Sequence, residues 1–219
     1  SNKELIEICK GAGVFDSNID VHIYHEIAET ALNLLILKKY GRDLLASTDP
    51  SEAVLTVLRP LQKQLPTQTW RSETQIAYQQ FSTPVPIAYL AANLLNIRPD
   101  ETVLEPSCGT GCLAVWAFAA GAKVITNEID PRRRRAASAL GFEPYSVDAE
   151  FIDDLLPGHL LPDIVLANPP FSSTGGRVKN NSLDFGFRHI ESALRRLKKG
   201  GRFAVILGES GSPRSRNGN

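Results

Sequence analysis

Two short runs about sixty residues apart constrain the fold more than any other feature of the chain. The first is Val103-Leu104-Glu105-Pro106-Ser107-Cys108-Gly109-Thr110-Gly111-Cys112-Leu113-Ala114. The second is Asp163-Ile164-Val165-Leu166-Ala167-Asn168-Pro169-Pro170-Phe171. Each opens as an apolar run of strand length, then breaks into residues that let backbone or amide groups face a ligand. In the first, acidic Glu105 and a Gly-x-Gly turn lead into an apolar helix. Glycine lets the backbone approach closely, and this strand–loop–helix suits a nucleotide-like cofactor. A lone Gly-x-Gly is common. The second run is far more specific: it presents the Asn168 side-chain carbonyl beside the Pro169 backbone carbonyl, whose direction is preset because proline has a fixed φ. Phe171 adds a face on which a planar ring can stack.

The remaining chain fits around these runs. Short strands are expected at 102–105, 123–126, 141–148, 164–167 and 202–207, with helices at 85–97, 113–120 and 183–199. That alternation predicts an α/β fold with a parallel sheet. Upstream, Ile23, Ile27, Ala28, Ala31 and Leu35 recur at helical spacing, and Leu32, Leu34, Ile36 and Leu37 widen the apolar face. Gly41 or Asp49-Pro50 is expected to close that helix, with further helices at 52–64 and 69–80. Residues 1–80 therefore read as a helical region, 81–208 as the α/β domain that carries both runs and 209–219 as a flexible tail. His22 and His25 read as surface or capping residues, Trp116 as core, and the four histidines show no metal spacing.

Composition sets outer bounds. A hydrophobic content of 42% and 22% charged residues are ordinary for a globular protein. No apolar run approaches the roughly 20 residues of a membrane span, and no signal peptide opens the sequence. Three cysteines, two inside the glycine motif, predict a reducing, cytoplasmic setting without a disulfide framework. Methionine is absent even at position 1, so Ser1-Asn2 reads as a tag remnant. The zero net charge conceals an asymmetry, since residues 168–219 carry ten basic and three acidic side chains. That excess begins at Asn168 and runs on, where a polyanion would be expected. Arg195, Arg196, Lys198 and Lys199 on a solvated helix face account for part of it.

Three more stretches carry chemistry. Phe81-Ser82-Thr83-Pro84 precedes the glycine loop; locally, Thr83 reads as a helix N-cap with Pro84 in the first turn. Asn127-Glu128-Ile129-Asp130-Pro131 ends the second strand, where an acidic residue suits a ribose diol and Asp130 suits an N-cap. Arg132–Arg135 reads mostly as a solvated face. Asp148, ending the expected third strand, reads locally as a turn aspartate.

Taken together and in this order, Phe-Ser-Thr-Pro, Glu-Pro-Ser-Cys-Gly-Thr-Gly, Asn-Glu-Ile-Asp and Asn-Pro-Pro-Phe resemble the adenine-specific DNA methyltransferases of the γ motif order. That family includes the type I restriction-modification methylase subunits. The opening Gln-Gln-Phe-Ser-Thr-Pro further resembles the methylase portion of mobile-element proteins that fuse a methylase to a strawberry-notch-type helicase. The resemblance implies a Rossmann-like sheet of order 3-2-1-4-5 and S-adenosylmethionine as cofactor. It implies cofactor contacts from Phe81, Thr83, Pro84, Glu105, Pro106, Ser107, Gly109, Gly111, Glu128, Ile129, Asp148 and Ala149. Asn168, Pro169, Pro170 and Phe171 would hold a flipped adenine, with Arg177 and Lys179 touching phosphate. No metal is implied. Related Asn-Pro-Pro enzymes modify RNA guanine or a protein glutamine amide, and a non-catalytic cofactor- or DNA-binding module is the reading from another class. The expected partner is DNA, not a membrane. The family usually adds two more strands and a target-recognition region, so a longer chain or a separate specificity subunit is expected as well.

Overall fold

The computed structural model describes residues 2–18, 20–66, 82–170 and 185–207. The helix expected at 69–80 lies outside them, as do Phe81, Phe171, Arg177, Lys179 and the tail. Four parallel strands form the sheet: β1 (Thr102–Glu105), β2 (Lys123–Thr126), β3 (Ile164–Ala167) and β4 (Arg202–Val205), in the order β2-β1-β3-β4. Glu105 pairs with Thr126, Leu104 with Val165, and Ala167 with Val205. With every strand parallel, the glycine loop after β1, the acidic turn after β2 and Asn168 after β3 all leave the sheet at its carboxyl end. The order reverses between β1 and β3, the switch point at which open parallel sheets bind ligands.

Helices cover both faces. α1 (Asn2–Gly11) precedes α2, which runs through 21–45 and is π-wound over Ile36–Tyr40. α3 runs through 50–64 and is π-wound over Ala53–Leu58. Then come α4 (Val85–Leu95), α5 (Ala114–Ala119), α6 (Pro131–Ala139), α7 (149–155, opening as a 3-10 turn) and α8 (Phe185–Arg195). Side chains alternate across a strand, so Val103, Ile164 and Leu166 pack with Ile36, Tyr89 and Trp116 on one face. Leu104, Val165 and Ala167 meet Ile152, Leu156 and Ala193 on the other. That is why these strands read as unbroken apolar runs. Trp116 is core, as expected, its ring 5.1 Å from that of Tyr89.

Four expectations change in detail. The third strand, expected at 141–148, shrinks to one parallel bridge between Asn127 and Tyr145 on the outer side of β2. Pro144 has no N–H to give a ladder, and the Asn127 side chain continues the pairing instead. Its Oδ1 accepts from the Val147 N–H at 2.9 Å, and its Nδ2 donates to the Val147 carbonyl at 3.0 Å. The 3-2-1-4-5 order therefore survives with its outermost member cut to a bridge. Second, of the two ends expected for α2 the later one holds: the helix runs on through Gly41 to Leu45, ahead of Asp49-Pro50, with Gly41 so close to α5 that a Cβ there would stand 2.6 Å from the Ala119 Cβ. Third, His22 and His25 are buried rather than surface residues. Asp20 caps α2 through the His22 N–H, and the His25 ring meets the Asn2 side-chain oxygen at 2.9 Å. Burial lowers the basicity of His25. Fourth, Thr83 is not an N-cap; Pro84 stands at that place without a side-chain bond, and the Val85 N–H donates to Gln62 Oε1 at 2.8 Å. Asp130 does cap α6, accepting from the Arg132 and Arg133 N–H groups. Among the described residues, no helix is long and apolar enough to cross a membrane.

Candidate cofactor cleft and acceptor site

The glycine loop is held open by backbone geometry that only glycine adopts without strain. Gly109 and Gly111 have φ of 56° and 88°. A Cβ on Gly111 would press Leu140 Cδ1 at 2.9 Å, and one on Gly109 would strike the Arg133 guanidinium at 2.5 Å. The Cys108 N–H donates to the Asn127 carbonyl at 2.9 Å, tying the loop to the end of β2. Glu105, at the root of the loop, is buried, and burial pushes its carboxyl well above the usual carboxylate range. Its Oε2 has no hydrogen-bond partner among the described residues. Burial likewise raises the Cys108 thiol, and it raises that of Cys112 to about 11. Both sulfurs pack as neutral groups.

The acidic turn after β2 reaches back to that loop. Glu128 Oε2 accepts from the Gly109 N–H at 2.7 Å, and Oε1 accepts from the Asp130 N–H at 2.8 Å. Each oxygen keeps a second lone pair for a ligand hydroxyl. Asn127 joins this turn to two neighbours: its Nδ2 donates to the Pro106 carbonyl at 2.9 Å as well as to Val147, next to Asp148. Asp148 accepts from the Glu150 N–H at 3.1 Å and opens α7. Pro106 and Ala149 are buried here, with Ser107 and Ile129 half-buried. Pro84 is exposed.

On the acceptor side, β3 delivers Asn168, half-buried, and Pro169, buried. Asn168 Nδ2 donates to Thr83 Oγ1 at 2.9 Å. That bond sets the rotation of the amide, with its nitrogen toward Thr83 and its oxygen turned the other way. The Phe-Ser-Thr-Pro and Asn-Pro-Pro-Phe motifs, 85 residues apart, thus meet at one hydrogen bond.

A third set of residues was not singled out in the sequence as a site. Arg133, expected on a solvated face, is buried. Its Nη2 donates to Ser82 Oγ at 3.1 Å, and Ser82 Oγ in turn donates to Glu29 Oε2 at 2.6 Å. Thr110 Oγ1 of the glycine loop also donates to Glu29, and Asn33 Nδ2 donates to the Thr110 carbonyl at 3.0 Å. Glu26 accepts from Arg132 Nη2 at 3.0 Å and lies 3.8 Å from Arg133 Nε. Burial raises the carboxyls of Glu26 and Glu29. The only sequence signal was polar residues within an apolar helical pattern, at Glu26, Glu29 and Asn33.

The acceptor set fits a nucleoside. The side chains of Glu105, with an orphaned oxygen, and of Glu128, bonded to the Gly109 N–H, stand at the glycine loop, and the positive φ of Gly109 and Gly111 makes a Cβ at either position strained. Comparison with known proteins supplies a family. The model of the methyltransferase small domain family matches residues 87–213, more than half of the chain. The tRNA (guanine(10)-N(2))-methyltransferase of Saccharomyces cerevisiae is 28% identical over 98 residues, which cover 39% of this chain and 23% of that enzyme. The chain thus spans under a quarter of that curated relative. A candidate RNA methyltransferase from Pyrococcus horikoshii is similar in fold, with a TM-score of 0.51 at 22% identity over 73% of this chain and 76% of that one. The M protein of the EcoKI type I restriction enzyme superposes with a TM-score of 0.48 at 18% identity, over 95% of this chain and 57% of that one.

Proposed function

The chain belongs to the methyltransferase small domain family, and from that premise we propose that it methylates the exocyclic amino group of a nucleobase, adenine in DNA being the first reading. The observation that carries this is the bond from Asn168 Nδ2 to Thr83 Oγ1 at 2.9 Å. An exocyclic amine is a poor nucleophile because its lone pair is delocalised into the ring. Two carbonyl acceptors, the Asn168 side chain and the Pro169 backbone, hold its two N–H bonds and favour a localised lone pair. Thr83 keeps the Asn168 oxygen in the accepting orientation. Phe171 provides a stacking face for a base drawn out of its helix.

S-adenosylmethionine would supply a methyl group on a sulfonium, already reactive enough that neither a general base nor a metal is needed to begin. Glu128 would hold the ribose hydroxyls, Asp148 the adenine amino group, and the loop at Gly109 and Gly111 would admit the chain of the cofactor. The protein's contribution is then mostly in-line positioning. Arg177 and Lys179 are the proposed phosphate contacts. The basic excess after Asn168 and the Phe-Ser-Thr-Pro segment support DNA. A second reading, the amino group of guanine in RNA, is favoured by the yeast relative, which acts on a tRNA guanine.

The test is transfer of labelled methyl from S-adenosylmethionine to unmethylated DNA and to RNA, followed by digestion and identification of the modified nucleoside. Methyladenine from DNA is the expected product. Methylguanine from RNA would replace the first reading with the second. Absence of label in either, with cofactor bound, would reject both as activities of this chain alone.

A further inference from the structure

The bridge from Arg133 through Ser82 to Glu29 is not used by the chemistry above, and it lies between the two parts that are. Arg133 stands against Gly109 of the glycine loop, where an added Cβ would fall 2.5 Å from its Nη2. Ser82 joins Arg133 and Glu29, and the next residue, Thr83, holds the acceptor amide. Glu29 also takes the Thr110 hydroxyl of the loop at 3.3 Å. One cation and one anion are therefore kept side by side at the junction of loop and acceptor.

S-adenosylmethionine has three ends to be recognised: adenine, ribose and an α-amino acid bearing one carboxylate and one ammonium. The first two fall to Asp148 and Glu128. The third branches from the same sulfur that carries the methyl, so it belongs where the glycine loop meets Thr83 and Asn168. We infer that Arg133 and Glu29 are the specificity residues for this amino-acid end, Arg133 taking the carboxylate and Glu29 the ammonium. The inference rests on reading the site as one for S-adenosylmethionine. Burial of this cluster supports it, because buried ionic groups contribute little net stability compared with apolar packing. Glu26 is held by Arg132, with Nε and Oε2 2.7 Å apart, and stands 3.8 Å from Arg133 Nε, so the bridge from Arg133 Nη2 through Ser82 to Glu29 is the part left to exchange partners with a zwitterion. The inference also makes α2, which carries Glu29, part of the cofactor site.

The experiment compares two ligands by calorimetry. S-adenosylhomocysteine has the amino-acid end; 5′-methylthioadenosine has the nucleoside and thioether without it. The unaltered protein should bind the first more tightly. Arg133→Met and Glu29→Gln should each weaken S-adenosylhomocysteine by about tenfold to a hundredfold, the range for a lost charge-assisted hydrogen bond. Both should leave methylthioadenosine within about threefold, which also reports that each variant is folded. Equal weakening of both ligands would make the cluster a structural tie and overturn the inference. Unchanged or tighter binding of S-adenosylhomocysteine would overturn it too, with Arg133 then a plug that the cofactor displaces. If the unaltered protein bound neither ligand, the reading of the site itself would fall, and the inference with it.

Discussion

At the residue scale the acceptor site depends on which way one amide faces. Thr83 Oγ1 takes the Asn168 nitrogen, which sets the rotation of the amide, and in the proposed function the Asn168 oxygen is the acceptor for an N–H of the base. Asn168→Ala removes that acceptor and should reduce methyl transfer by about 10²–10³, the scale of one positioned hydrogen-bonding group in a transition state. Binding of S-adenosylhomocysteine should stay within about threefold, since Asn168 is not assigned to the cofactor. If transfer and cofactor affinity fell together, Asn168 would be part of the cofactor pocket instead. Thr83→Val keeps the shape of the side chain but loses the hydroxyl that fixes the amide. At saturating cofactor its kcat should drop about tenfold, the cost of one ordinary hydrogen bond. An unchanged kcat would mean that the amide is oriented by the base rather than by Thr83.

At the element scale the sheet is pinned at the ends of its strands by buried acids. Arg202, opening β4, donates both ends of its guanidinium to Glu101, just before β1, at 2.9 Å each. Those bonds hold the Glu101 carboxyl at about 2, below its ordinary 4.5. A depressed acid contributes stability above its unfolded value, and this is lost as pH falls from 4.5 through about 2. Glu101→Gln should therefore cost about 1–2 kcal/mol at neutral pH, discounted because Arg202 is partly exposed. In urea unfolding, the gap to the unaltered protein should narrow as pH is lowered through that window. A gap that ignored acid would point to packing instead. β1, β2 and β3 were legible to the residue, β1 and β3 because two-sided burial writes a strand as an apolar run. The third expected strand was not, since a side-chain amide at Asn127 replaces most of its ladder. Nor was the burial of Arg133 legible, because its partners Glu26 and Glu29 lie more than a hundred residues upstream on another helix.

At the scale of the whole molecule, two of the contacts that tie the helical N-terminal part to the sheet domain lie along one helix. Near its middle, α2 sends Glu29 and Asn33 to the glycine loop. Toward its end, Gly41 lies so close to Ala119 of α5 that no side chain fits between them. Lifting α2 at the second place should therefore disturb the first. Gly41→Val is the test. Overpacking of this kind costs about 1–3 kcal/mol, which a urea melt would report. If α2 belongs to the cofactor site, S-adenosylhomocysteine should also bind more weakly, by about three- to tenfold, although position 41 touches no ligand group. Loss of stability with unchanged affinity would show that α2 shields the loop without shaping it. Equal effects on S-adenosylhomocysteine and methylthioadenosine would place the coupling at the loop backbone through Asn33. A selective effect on S-adenosylhomocysteine would place it at Glu29, because only that ligand carries the ammonium that Glu29 is proposed to hold.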